Sequence, residues 1–426
     1  MSSHTTSAPA PAHRTIRGAL VRRIRLLRAH PVLSLPALEE GWRAWRGGYP
    51  ADQEHEAHLR GAIDWLVRAQ DATPDGGIAR GFSLTRHPNF GARGWQPSYP
   101  ETTGYIIPTL YAAARRLARP DLAARAERAA RWEIEVQLAS GAARSGVIGA
   151  PECPAAFNTG QVILGWLSAW EETGRNDFAE AACRAARYLT ATLGADGCWR
   201  DGLPSHARTD STLYHARAAW ALAEAGDRLG DATFSAAGTR ALRAAARLQT
   251  ANGWLPQCCL SDPAQPLLHT LAYAVRGLLE GGRVLGEWSL IYVAERTAAR
   301  LADSVRSDGW MPGRYRADWS PAVGWSCLTG QAQMANNWMR LAEVTGETRW
   351  LDPVPAVLGF LKRTQNRESQ VSGVRGGIAG SWPVGGAYAA YELLNWATKF
   401  FADALMRHEA VVANGPGGVS PVSSLA

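Results

Sequence analysis

The chain of 426 residues is 46% hydrophobic and 19% charged, with a formal net charge of +7, a composition that belongs to globular proteins. No run of 18 or more apolar residues occurs, which excludes a membrane-spanning helix, and no apolar stretch before a small-residue cleavage site marks a secretory leader. The six Cys lack metal-ligand spacing, "QCC" being only an adjacent pair, so the expectation is a reduced, cytoplasmic protein with no metal and no cofactor.

The positive charge is local. Residues 1–50 hold eight Arg against two Glu, whereas the rest of the chain holds 37 basic against 36 acidic residues. The leader "RTIRGALVRRIRLLRAH" sets Arg among Leu, Val and Ile at helical spacing, which suits peripheral contact with an anionic membrane; the plainer reading is a solvated basic tail. Residues 1–50 are therefore expected to form a basic, partly disordered segment. No zinc module or aromatic-rich basic motif follows, so nucleic acid is not an expected partner.

The body, residues 51–410, opens with the amphipathic stretch "DQEHEAHLRGAIDWLVRAQ" and breaks at "DATPDGGIARGF". Helix pairs follow in order, beginning with "TTGYIIPTLYAAARRLA" and "DLAARAERAARWEIEVQL", with Pro120 and Asp121 as stop and start signals. Next come "NTGQVILGWLSAWEETG" with "DFAEAACRAARYLTATL", and "DSTLYHARAAWALAEAG" with "ATFSAAGTRALRAAARLQ". "HTLAYAVRGLLEGG" with "WSLIYVAERTAARLADSV", and "CLTGQAQMANNWMRLAEVTG" with "WLDPVPAVLGFLKRTQ", complete the series. The body closes on "AYAAYELLNWATKFFADALM", and residues 411–426 are expected to be a disordered tail. One member of each pair is apolar and rich in small residues, the other amphipathic, and no segment alternates with period two, so strands should be few.

Glycine turns at Gly76, Gly146, Gly197, Gly253, Gly309 and Gly376 recur 51–70 residues apart, which signals a repeat architecture. The array begins with an outer-type half-unit and ends with the complementary inner-type half. Such halves can pair and seal a ring, which leaves no apolar end to cap. The expected fold is all-α, an (α/α)6 toroid of twelve helices.

The turns "LGADGCW", "QTANGW" and "QDATPDGG" resemble worn copies of the Gln-x-x-x-Gly-x-Trp repeat of the prenyltransferase and squalene-cyclase superfamily. Through "WQPSYPETTGY", "FNTGQ" and "GGIAGSWPVGG…NWATKFF" the chain also resembles helical toroids of carbohydrate-active enzymes. These include the helical domain of glucuronyl C5-epimerases and the prenyltransferase-like proteins of bacterial surface-polysaccharide synthesis. The second resemblance implies an oligo- or polysaccharide substrate.

In a ring of this kind the starts of the inner helices border a central cavity, and each start carries polar residues: Tyr99, Glu101 and Thr102; Asn158, Thr159 and Gln161; Arg208, Asp210, Tyr214 and His215; His269 and Tyr273; Trp325, Thr329 and Gln331; and Trp382, Tyr388, Tyr391 and Glu392. Taken singly, Thr102, Asn158 and Asp210 read as N-caps, and His215 and His269 as ordinary buried histidines. Their recurrence beside aromatics suits a sugar site, where aromatic faces are joined by a few oriented polar groups. The loop "GFSLTRHPNFGARGWQPSYPE" is far longer than a helix connection needs; it carries Arg86 and His87, and Arg80 lies immediately before it. Arg80 or Arg93 can pair with a uronate or phosphate, and Trp95 and Tyr99 can stack; alternatively the loop is a structural plug.

Glu101 and Asp210 can act as the two carboxylates of a hydrolase, while Tyr214, His215 or His269 can supply acid–base chemistry for elimination or epimerisation. Two alternatives stand beside this. An isoprenoid cyclase or prenyltransferase would need an Asp-x-Asp-Asp acid motif or an Asp/Cys/His zinc set, and the chain has neither. A non-catalytic glycan-binding ring needs no motif at all.

Overall fold

In a computed structural model, the described residues are 31–50, 52, 54–87, 89–200 and 212–414. The arginine-rich stretch Arg14–Arg28 of the expected basic leader and the candidates Arg208 and Asp210 lie outside them.

Twelve of the helices alternate between two layers. The outer layer comprises α2 (His55–Asp71), α4 (Pro120–Glu135), α6 (Asn176–Thr192), α8 (Ala232–Arg247), α10 (Trp288–Asp303) and α12 (Val354–Thr364). The inner layer comprises α3 (Pro100–Arg116), α5 (Ala156–Thr173), α7 (Ala216–Leu229), α9 (Leu268–Leu285), α11 (Leu328–Thr345) and α13 (Asn395–Asn414). Each inner helix packs on the next, α13 returns to α3, and α2 lies along α13, so the two half-units meet and the ring closes as an (α/α)6 toroid. Composition explains the layering. Inner helices are apolar nearly all round because they are covered on both sides, as on α9, where Leu268–Gly282 are all buried. Outer helices bury a single stripe, on α6 the residues Ala181, Ala182, Ala185, Ala186 and Leu189 with Phe178, and these small side chains let the layers approach closely.

The inner helices α5, α7, α9 and α11 stop at Gly174, Gly230, Gly286 and Gly346, each in the left-handed conformation that ends a helix without a Cβ clash. The outer-to-inner turns are tied by glutamines. Gln70 donates to Gly76 O and to Arg125 O of α4, both at 3.1 Å, and Gln137 to Gly141 O at 2.8 Å and Ala181 O of α6 at 3.1 Å. Gln249 binds Gly253 and Val293, and Gln365 binds Gly376 and, across the closure, His58. In the other two turns Leu193 and Val305 stand in place of the glutamine. The bonds identify the repeat glycine of the second unit as Gly141, not Gly146. A Cβ on Gly141 would meet Arg184 O at 2.5 Å, whereas on Gly146 it would meet only Ala150 Cβ at 3.5 Å.

Short strands brace one end of the ring. β1 (Gly81–Ser83) lies between β2 (Gly94–Trp95) and β5 (Glu392–Leu394), both antiparallel to it, with Phe82 opposite Trp95 and Leu393. β3 (Ser326–Cys327) pairs with β4 (Ser381–Trp382). Outside the ring proper, within the segment read as a leader, Leu35–Trp45 forms helix α1, which is fixed to the body through Arg43 and Glu40. Among the described residues no helix is long and apolar enough to cross a membrane.

Candidate active site at the N-terminal mouth of the ring

The inner helices begin at the end of the ring braced by the β1–β2–β5 sheet, and there the sequence-predicted residues divide. Glu101 sits in the first turn of α3, half-buried, and accepts a hydrogen bond from the Tyr99 hydroxyl. Burial pushes its carboxyl up to about 7, outweighing the hydrogen bond from Tyr99 and the charges of Arg80 and Arg217. The same carboxylate raises the phenols of Tyr214 and Tyr273, after burial the next largest influence on each, so both rings lie within its field.

Around Glu101 the aromatics form a continuous wall. Phe157 is 4.8 Å from Tyr214 and 4.9 Å from Tyr273, centroid to centroid, and Tyr273 is 4.4 Å from His269, which is 5.6 Å from Tyr388. Trp396 packs edge-on to Tyr99 and donates its indole N–H to Tyr388 Oη at 2.8 Å. Gln333 Oε1 accepts from His269 Nδ1 at 2.8 Å, which leaves Nε2 with its lone pair. Burial lowers His269 to about 4, so the ring is neutral at physiological pH. The structure thus brings Tyr99, Glu101, Tyr214, His269, Tyr273 and Tyr388 together, with Gln161 behind them.

Below this wall the axis is filled. Arg217 is buried, donates from Nε to Gln161 Oε1 at 2.5 Å, and lies 5.1–5.9 Å from the ring centroids of Tyr273, Trp220, Phe400 and Tyr105. Lys399 pairs with Asp403 at 2.7 Å, and burial lowers its ammonium to about 8. Deeper still, Glu280 accepts from Arg340 and Arg283 and pairs with Arg276, while Glu343 pairs with Arg340 and Arg407. The cavity between Arg217, Arg276, Asn336, Asn337, Phe400 and Asp403 measures only about 10 Å³, room for about one water. Among the described residues, the axis is therefore filled below the wall, and the side chains of the wall are reached from the mouth.

Other sequence-predicted residues hold the scaffold. Glu392 is clamped by Arg80 Nη1 at 2.6 Å, Gln96 Nε2 at 2.7 Å and His87 Nε2 at 3.3 Å. Burial opposes its ionisation, but the His87 hydrogen bond and the Arg80 charge win and hold it at about 2. This clamp fixes the long loop to β5; the Arg80 guanidinium also lies 5.0 Å from the Trp396 ring, at the edge of the site. Arg93 is exposed and donates to Leu33 O. Trp95 packs on Trp65 of α2 with the rings tilted at 53°, and Trp325 packs on the backbone at Gly313 and Gly386. Gln331 bridges Ser326 and Gly309, and Asn158 donates to Arg144 O, so neither is turned to a ligand. Thr102 and Asn158 are not N-caps: the residues preceding α3 and α5 are Tyr99 and Ala155, and Thr102 instead receives Asn395 Nδ2 at 2.8 Å.

His215 corrects the expectation that every inner-helix start faces the axis. Its imidazole lines a small cavity with Trp199 and with Ala241, Ala245 and Leu248 of the outer layer, because a 3-10 turn, Leu213–His215, rotates it outward while Tyr214 faces inward. Burial among apolar groups lowers it to about 4. Among the described residues, no three His, Cys, Asp or Glu side chains are placed to share a metal ion.

Sequence reasoning missed Arg217, Gln333, Lys399 and Asp403. The spacing of Lys399 and Asp403, four residues apart among the Trp, Phe, Ala and Leu of an inner helix, is the one signal that marks a pair.

No family model matches the chain, and no curated protein matches it. Solved structures do. An unsaturated glucuronyl hydrolase specific for heparin superposes with a TM-score of 0.66 at 15% identity, over 86% of this chain and 99% of that one. A cellobiose 2-epimerase from Bacillus thermoamylovorans gives 0.63 at 12% identity, over 82% and 98%, and a D-mannose isomerase 0.63 at 13%, over 84% and 100%. At such identities the likeness establishes the fold: the chain is built as an (α/α)6 toroid along nearly the full length of these sugar-processing enzymes.

Proposed function

We propose that the protein is a carbohydrate-active enzyme that works by general acid–base catalysis at the mouth of the ring. The observation that carries this reading is the position of Glu101, a half-buried carboxyl tuned to about 7, hydrogen-bonded to Tyr99 and surrounded by the aromatic faces that sugars stack on. Glu101 gives or takes the proton, Tyr99 orients it, and His269 Nε2 and Tyr273 are the second proton-handling groups. Tyr214 and Tyr388 form the stacking walls, and Asp210 is the candidate second carboxylate. The printed names of the toroid neighbours, glucuronyl hydrolase, cellobiose epimerase and mannose isomerase, support a sugar substrate.

Within that class we favour a glycan of bacterial surface or exopolysaccharide metabolism, handled by hydrolase, lyase or uronyl-epimerase chemistry. The prenyltransferase-like turns and the six free cysteines, which suit a reducing compartment, support this finer placement. Contact of the arginine-rich leader with an anionic membrane belongs to the same reading.

The test is incubation of the chain with acidic and neutral oligosaccharides, followed by reducing-end release, appearance of an unsaturated product, and solvent deuterium uptake at the sugar ring. One of these signals is expected, and it should be lost in Glu101→Gln. Full turnover by Glu101→Gln would reject the site.

A further inference from the structure

Five large apolar side chains that face solvent lie within one short stretch: Leu33, Leu35, Leu38, Trp42 and Trp45. On α1, Leu35, Leu38, Trp42 and Trp45 recur at helical spacing and are 68, 46, 60 and 75% exposed, while Ala37, Glu40 and Ala44 on the opposite face are buried. The exposure does not come from loose attachment. Arg43 donates to Thr364 O at 3.0 Å, Asn366 donates to Glu40 at 2.6 Å, the Ser34 hydroxyl binds Leu84 O, and Arg93 binds Leu33 O. The body holds α1 firmly with its apolar face outward, where keeping such surface in water costs about 25 cal/mol per Å² relative to burying it. Trp42 and Trp45 stack with centroids 4.8 Å apart, and with Leu38, Gly41 and Tyr391 they border a shallow groove of about 450 Å³.

Two further facts say what covers this face. Just before α1 the sequence carries Arg14, Arg17, Arg22, Arg23, Arg25 and Arg28, and no acidic residue occurs before Glu39. Paired Trp beside Leu, preceded by a dense positive charge and accompanied on α1 by a single exposed acid, Glu39, is the chemistry of a helix lying in a bilayer interface: indoles settle at headgroup depth and arginines are drawn to anionic lipid. The face also has a meaningful location. Tyr391 of the groove immediately precedes Glu392 of β5, and Tyr388, three residues earlier, lines the candidate site. The apolar face therefore flanks the mouth of the ring.

We infer that α1 is a membrane-docking element. Its Leu35, Leu38, Trp42 and Trp45 face inserts into the interface of an anionic bilayer, the leader arginines supply the electrostatic attraction, and the mouth is held next to the lipid surface. The inference adds an insertion face in the folded body to the leader contact already proposed. Joined to the proposed function, it names the substrate class as a glycan carried on a membrane lipid, and for that step alone it rests on that reading.

The experiment is co-sedimentation of the full chain with vesicles of phosphatidylglycerol and phosphatidylcholine, against phosphatidylcholine alone. Binding is expected only to the anionic vesicles. The Trp42→Ser/Trp45→Ser double variant should bind about tenfold or more weakly, as loss of two interfacial anchors requires. Leu38→Asp should do the same. Both should melt as the wild type does, since these side chains face solvent. Replacing Arg22, Arg23 and Arg25 by Gln should weaken binding mainly at low salt and flatten its salt dependence. No binding to either vesicle, or unchanged binding of the tryptophan and leucine variants, would overturn the proposal. So would a dimer in solution that these same variants dissociate without any vesicle binding, which would make a second copy the occupant. The assay contains no glycan, so its failure leaves the catalytic proposal standing, and an inert Glu101 leaves the docking proposal standing.

Discussion

Tyr99 donates its phenolic hydrogen to Glu101, two residues on in the first turn of α3, and this bond sets the balance of charge at the mouth of the ring. Burial raises the carboxyl, and the Tyr99 bond opposes that rise more strongly than Arg80 or Arg217 does. With Glu101 as the acid, activity should fall as pH rises through about 7. Tyr99→Phe removes the opposing bond, so the falling limb should move to higher pH while folding is retained. Glu101→Gln should lose about 10²–10⁴-fold in turnover and show no such limb, as the pH profiles of kcat/KM will report.

Two of the buried histidines make the fold acid-sensitive. His215 and His269 are held near 4, below the ordinary value of 6.5, so an unfolded chain binds protons there that the folded one refuses. Their contribution to stability is present above about 6.5 and lost as pH falls toward 4. Glu101 acts oppositely, because its raised carboxyl takes up a proton in the folded state first and adds stability as pH falls from about 7 toward 4.5. Melting temperature followed against pH should fall less steeply below pH 6.5 in His215→Gln, and more steeply in Glu101→Gln.

The second turn of the repeat distinguishes two glycines five residues apart. Gly141 has φ +88° and no room for a Cβ beside Arg184 O. Gly146 has φ +71° but open surroundings. Gly141→Ala should therefore cost about 1–3 kcal/mol more than Gly146→Ala in urea unfolding. Equal costs would mean that Gly141 is not pressed against the next outer helix.

Glu280 stands among three arginines at the filled end of the axis, accepting from Arg340 Nε at 2.8 Å and Arg283 Nε at 2.7 Å, and lying 3.1 Å from Arg276. Removing its charge leaves buried cations uncompensated, so Glu280→Gln should destabilise the ring by about 3–5 kcal/mol. The residual folded protein should keep its substrate KM, since Glu280 lies beyond the aromatic wall.

The ring was legible because repetition is a global signal: six turns and two complementary half-units survive any single misplaced residue. The choice of Gly146 over Gly141 shows the limit, since spacing tolerates either and only the Gln137 bond selects one. Glu101, Tyr99, His269 and Tyr273 were readable as starts of inner helices. His215 was not, because a single 3-10 turn rotates neighbouring side chains to opposite sides. Glu392 looked like a ligand and is a clamp, since its partners Arg80, Gln96 and His87 lie about three hundred residues away. Arg217 was invisible for the opposite reason. An arginine on an Ala-rich helix reads as a solvated face, and only the closed ring surrounds it with four aromatic rings.

The joint between α2 and α13 is the one place where neighbouring units of the ring are not successive in the chain. His55 binds Leu405 O at 2.9 Å across 350 residues, and Gln365 binds His58 O across 307. A chain emerging from the ribosome presents the apolar stripe of α2 first and completes its partner last. Five of the six joints can form locally and early, but the ring cannot shut until nearly all of it has been made. Assembly therefore ends in a single long-range step with a large loop-closure cost, and until then the stripe of Leu59, Ile63 and Leu66 remains exposed to whatever else will bind it.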